Sequence, residues 1–194
     1  MRELVLALAS VLLLSVVSPG TATAQPHQFA GIPWGASVET VRAKMAEAGY
    51  VFEKMDADGD LAFNGTVLAN KAIIFALLFN GKLSKISVIL VTPDQTAIRT
   101  YDEMLGVLKA KYGKPSHEFR FFEKPYFDGD GYPEQAIRRG KGHFLSAWES
   151  GKGSPEATAL TVSISEKLVV RVSYEGPDWK VAADQRKAKA TKSF

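Results

Sequence analysis

Residues 71–91 read KAIIFALLFNGKLSKISVILV, and this stretch decides the fold. Two apolar arms, Lys71 to Phe79 and Lys82 to Val91, flank Asn80-Gly81. A type I′ turn needs positive φ at both central residues, and Asn-Gly supplies it at little steric cost. The stretch therefore predicts a β-hairpin. In its second arm Leu83, Ile86, Val88 and Leu90 alternate with polar residues, and the alternation slips around Lys85. Such a slip predicts a β-bulge.

The hairpin is framed by two helices. Ser37 is a cap candidate, Val41 and Met45 share one helical face, and Gly49 is a stop, which predicts a helix over 38–48. After the hairpin, Thr92-Pro93-Asp94-Gln95 carries a cap, a proline and a capping-box glutamine. Ile98, Tyr101, Leu105, Leu108 and Tyr112 form an apolar stripe that Gly113 ends, so a second helix is expected over 93–112. Strands are expected at 50–55 and 61–67, and then at 117–123, 136–139, 143–149, 157–165 and 168–174. Tight turns rather than helical crossovers join most of them, which favours antiparallel pairing. The expectation is an α+β fold of two helix-then-antiparallel-strands units, with the helices packed on one face of a mainly antiparallel sheet.

Residues 1–24 read as a secretory leader. Arg2 and Glu3 precede an apolar run from Leu4 to Val17, a Ser18-Pro19-Gly20 break and Ala22-Thr23-Ala24. The run is shorter than the ~20 residues of a membrane span, and small residues stand where a signal peptidase cuts. Cleavage after Ala24 is expected, giving a periplasmic or secreted product. Residues 25–177 then form one domain, and 178–194 a basic tail, either a weak helix or disordered. There are no cysteines in the chain. That excludes thiol catalysis, thiolate zinc sites and attachment of a lipid through cysteine. The net charge of +3 matches the excess carried from Asp178 onward, where Lys180, Arg186, Lys187, Lys189 and Lys192 stand against Asp178 and Asp184. A neutral body argues against nucleic acid as a partner. The tail is expected to be a solvated terminus, with contact to anionic membrane as the sharper option.

Catalytic signatures are sparse. Asp56, Asp58 and Asp60 suggest calcium, but an EF-hand places glycine sixth and glutamate twelfth, where Leu61 and Val67 stand. The stretch reads as a polar turn, and so does Asp128-Gly129-Asp130-Gly131. Asn64-Gly65-Thr66 is a chance sequon beside a bacterial-looking leader. Of the three histidines, His27 falls in an N-terminal stretch expected to be mobile, and His117 and His143 open strands. No Gly-x-Ser-x-Gly or His-Glu-x-x-His motif occurs. No cofactor, metal site or catalytic residue is assigned.

Residues 119–148 hold the densest mixture of aromatic and basic residues. Phe119, Phe121 and Phe144 alternate like core strand positions. The glycine-punctuated loop bearing Tyr126, Phe127 and Tyr132, with Arg138 and Arg139 after it, is the candidate binding lip for a protein, peptide or glycan.

Residues 29–37, Phe-Ala-Gly-Ile-Pro-Trp-Gly-Ala-Ser, followed by Val41 and Gly49-Tyr50, resemble the opening of a group of exported bacterial proteins without assigned activity. That group shares a G-x-x-W/F-G-x-S/T lead into a first helix. Its second helix often ends Tyr-Gly-x-Pro, here Tyr112-Gly113-Lys114-Pro115. The helix-then-sheet order also resembles the small outer-membrane assembly lipoproteins and the β-lactamase inhibitory protein. The resemblance implies a binding or scaffold role and brings no catalytic residues. The functional expectation is an exported soluble binding or accessory protein of the bacterial envelope. The alternative is an envelope-polymer hydrolase using carboxylates or a Ser-His pair.

Overall fold

A computed structural model describes residues 27–191. The expected leader, residues 1–24, lies outside them. The chain runs α1 (Val38–Glu47), β1 (Val51–Met55), β2 (Leu61–Val67), β3 (Asn70–Phe79) and β4 (Lys82–Val91). A 3-10 turn (Asp94–Thr96) leads into α2 (Ala97–Tyr112). Then come β5 (His117–Phe122), α3 (Pro133–Arg138), β6 (Gly142–Ser150), β7 (Thr158–Ile164), β8 (Val170–Glu175) and α4 (Trp179–Thr191). All eight strands join one antiparallel sheet in the order β1-β2-β3-β4-β8-β7-β6-β5. The fold is α+β. No helix among the described residues is long and apolar enough to cross a membrane.

The predicted hairpin holds: Asn80 and Gly81 both have positive φ, and β3 pairs with β4 throughout. The predicted bulge is also present. Leu77 pairs with Lys85 and Leu78 with Leu83, so Ser84 is the extra residue. The carbonyl of Ser84 is thereby free to accept the N–H of Gly176, 2.8 Å away, just after β8.

One sheet face forms the core. Phe63, Ile74, Val88, Val172, Val162 and Ser146 stand on it in successive strands, and α1 and α2 cover it with Val41, Met45, Tyr101 and Leu108. The residues that resembled a family opening act here as a clamp. Gly35, at φ +76°, donates its N–H to the Leu83 carbonyl at 2.9 Å, and Leu83 returns a bond to Ala36. The Trp34 ring covers Gly176 so closely that a Cβ there would lie 2.6 Å from the ring, which is why residue 176 is glycine. Ser37 caps α1 at the N–H of Thr40.

Three expectations need correction. The α2 helix proper starts at Ala97, not 93: Thr92 makes no cap bond, and Pro93 opens the 3-10 turn instead. Residues 136–139 are not strand. Residues 136–138 belong to α3, with Arg139 as its C-cap; Pro133 opens the helix at its first turn, and Ala136 and Ile137 are seated in the core. The tail is not a solvated terminus, because α4 is docked. Arg186 forks onto both carboxylate oxygens of Asp60 at 2.7 Å and also reaches the Leu78 carbonyl. Lys189 pairs with Asp58.

The Asp-rich turn is thus the socket of the tail helix. Asp56 folds the turn by accepting the N–H groups of Asp58 and Asp60, each at 2.9 Å, and Asp60 also accepts the N–H of Leu78. Replacing Arg186 with Met leaves a half-buried carboxylate short of its partner. We expect a loss of about 1–3 kcal/mol in chemical denaturation. The exposed pair tolerates more, so Lys189→Ala should leave the midpoint nearly unmoved. Equal effects from the two substitutions would refute the socket.

Candidate functional site

The second sheet face is left largely uncovered by helices among the described residues. Side-chain alternation and strand register build it row by row. One row runs Ile73, Ile89, Arg171, Ser163, Leu145 and Phe119 across β3, β4, β8, β7, β6 and β5. The next runs Phe75, Ser87, Ser173, Thr161, Ala147 and His117. The middle strands carry small hydroxyl residues, and the flanks carry apolar ones. A depression of about 790 Å³ lies on this face, lined among others by Ile89, His143, Leu145, Ser163 and Arg171. The α4 helix touches the far end of the face, where Lys85 Nζ stands 4.5 Å from the centre of the Trp179 ring and 2.8 Å from Glu175.

The strand aromatics do not behave as their alternation suggests. Phe144 is core, but Phe119 and Phe121 are not: they are 50% and 47% exposed. They stand opposite Leu145 and His143, which belong to the open face. The core-facing positions of β5 are Glu118, Arg120 and Phe122. Two of these are charged because β5 is an edge strand beside α2. Arg120 pairs with Asp102 at 2.6 Å and lies over the Phe144 ring, and Glu118 pairs with Lys109. A one-residue change of register reverses which face every side chain meets. Phe121 stacks on His143 at 4.6 Å, and His117 stacks beside Phe119 at 6.5 Å.

The loop after β5 carries the residues singled out from sequence. Phe127 and Tyr132 project at 65% and 60% exposure, and Tyr126 is half-buried. Asp130 braces the loop by accepting the N–H groups of Phe127 and Tyr132, so its carboxylate is a strut. Arg138 is tied to Asp94, which fixes α3 to the start of the α2 segment, and Arg139 is exposed. The loop and the β5 aromatics are neighbours in sequence. However, the depression on the open face is lined by Gly140, Gly142 and His143 rather than by Phe127 or Tyr132.

Sequence reasoning missed two groups. The first is Glu123, which binds His143 Nε2 at 2.9 Å and Lys141 Nζ at 2.7 Å. The lysine first, and then the histidine, hold its carboxyl below the ordinary value. The second is His27, which is not mobile. It is only 4% exposed, its backbone N–H and ring both meet Thr158 Oγ1 at 3.2 Å, and its ring meets Tyr112 edge-on. Because this hydroxyl already serves His27's own backbone and both groups are buried, the contact is structural.

Comparison with known proteins finds no matching family model, no matching curated protein and no matching solved structure.

Burial pushes the His27 pKa below its ordinary 6.5, so the unfolded chain protonates first as pH falls. Stability from the neutral ring is complete above that value and is lost as pH drops from it toward the depressed folded value. Glu123 acts in a separate window, below its ordinary 4.5. Urea midpoints measured from pH ~7 down to ~5 should fall for the native chain and stay flatter for His27→Gln. Parallel curves would contradict a buried neutral His27.

Proposed function

We propose that this chain is an exported binding or accessory protein of the bacterial envelope, and that it grips a polypeptide partner with the open face of its sheet. The leader-like pattern of residues 1–24 supports export to the periplasm or medium. One observation carries the binding reading. Phe119, Phe121 and Leu145 share the open face at one end of the sheet, exposed and adjacent. An antiparallel sheet usually turns polar residues to water, and a contiguous apolar patch marks an interaction surface.

The middle of the face suits a partner as well. Thr161 and Ser163 are small and half-buried, so an incoming chain can approach the sheet closely and find hydroxyl partners there, while Ser87 and Ser173 beside them are buried. Among the described residues β5 pairs only with β6, so its outer backbone edge is open to strand addition by an extended segment. Phe127 and Tyr132 extend the apolar surface past the end of β5.

The test is capture from a bacterial envelope extract by immobilised residues 25–194. A protein should be retained. Phe119→Ser with Phe121→Ser should cut its retention by at least about tenfold, since buried aromatic anchors carry most interface energy. Both side chains are exposed in the free protein, so folding is spared. Phe127→Ser with Tyr132→Ser measures the share of the loop. Undiminished capture by the β5 double variant would refute the open-face reading, and retention of polysaccharide alone would replace the polypeptide with a glycan.

A further inference from the structure

The opposite side of the molecule holds a cavity that the binding face does not use. It lies above the meeting line of β4 and β8, has a volume of about 200 Å³ and is mostly apolar. Phe29 and Ala30 of the N-terminal loop form one lip, Leu68 of the β2–β3 turn forms the other, and Met104 of α2 lines the wall. The residues with polar groups in its lining are Gln28, Lys111 and Tyr174.

The backbone around this cavity breaks local rules. Leu68 and Ala69 are the central residues of the β2–β3 turn, at φ +47° and +62°. That is the geometry Asn80 and Gly81 adopt at the next hairpin with residues suited to it. Leucine and alanine are poor choices for such a turn. Ala30, on the facing lip, also has positive φ, +49°. Of the five non-glycine residues with positive φ among the described residues, two line this cavity and a third adjoins it. Strain of this kind persists where side-chain identity serves something other than the fold.

We infer that this cavity binds a small apolar carboxylic acid, with a single ring or short chain buried between Phe29, Leu68 and Met104 and the carboxylate held at the mouth by Lys111. The volume decides the size. A cavity of roughly 150 Å³ accepts benzene, and drug-sized ligands need more than about 300 Å³. Lys111 decides the charge. It is exposed, its Nζ lies 4.9 Å from the centre of the Tyr112 ring, and no carboxylate partners it among the described residues. Tyr174 is nearly buried, and burial, with Tyr112 and Tyr50 nearby, pushes its phenol well above the usual range. Its hydroxyl is hydrogen-bonded to Tyr112, so the charge of the guest is met by Lys111.

The experiment titrates residues 25–194 with phenylacetate, hexanoate and the neutral analogue phenylacetamide, following methyl shifts by NMR. At least one of the acids should bind saturably at millimolar concentration or below, with shifts centred on Met104 and Leu68. Lys111→Gln should weaken acid binding up to about fivefold and leave phenylacetamide unchanged. Leu68→Asn with Ala69→Gly should raise the melting temperature, because it supplies the preferred turn residues, and should weaken both ligand types by removing the lip. No saturable shift with either acid would overturn the inference. So would equal sensitivity of acid and amide to Lys111→Gln, or unchanged affinity in the turn variant. None of these outcomes bears on capture by the open face, so the two readings fail separately.

Discussion

The pairing of β4 with β8 is the constraint on which the rest of the structure depends. Residues 85–90 of one strand lie against 170–175 of the other, joining two four-stranded meanders into one sheet. Each meander follows its own helix, α1 before β1–β4 and α2 before β5–β8. Ile86, Val88 and Leu90 face the core from β4, and Tyr174, Val172 and Val170 stand opposite them from β8. Both helices need the same apolar rows, so both lie on the same side. Burial of these aliphatic rows is the main source of favourable free energy, and it is continuous only if the two halves share one sheet.

Several devices lock this seam. The Ser84 bulge turns a carbonyl toward Gly176, Trp34 closes over that glycine, and Gly35 and Ala36 bind Leu83 across the start of β4. Beyond Trp34, α4 carries the chain back to the Asp-rich turn, where Arg186 and Asp60 join the C-terminal helix to the first half. Both ends of the domain are thus tied to the halves that the seam unites. The consequence is a division of labour: the helix side supplies stability and encloses the strained cavity, and the opposite face remains available for contact.

The elements read most directly from sequence are those specified by local chemistry. Asn80-Gly81 demands its turn, the alternation of β4 slips where the bulge lies, and Gly113 ends α2 in the left-handed region as a glycine stop should. Two misses are local, since Thr92 makes no cap bond and Pro133 opens a short helix where a strand was expected; in the others a partner distant in the chain decided the outcome. Phe119 and Phe121 have core-like spacing, but the register against β6 turns them outward, while Arg120 and Glu118 face α2 to reach Asp102 and Lys109. His27 is held by Thr158, and 131 residues separate the two. The Asp56–Asp60 turn is present as expected, but nothing near it in the chain announces that Lys189 and Arg186 dock there. Of the candidate site, the exposed loop aromatics Phe127 and Tyr132 could be read from their glycine-rich setting. The open face itself could not, since it exists only once eight strands are in order.

Native-state hydrogen exchange tests the seam most directly. If the two meanders form one cooperative unit, the hydrogen-bonded amides of β4 and β8 exchange slowest of all, at the free energy of global unfolding, and core amides in β3 and β7 approach the same limit. If instead residues 37–91 and 97–175 open independently, with β4 and β8 amides exchanging early and the two halves showing distinct opening energies, then the seam does not organise the molecule and this account is contradicted.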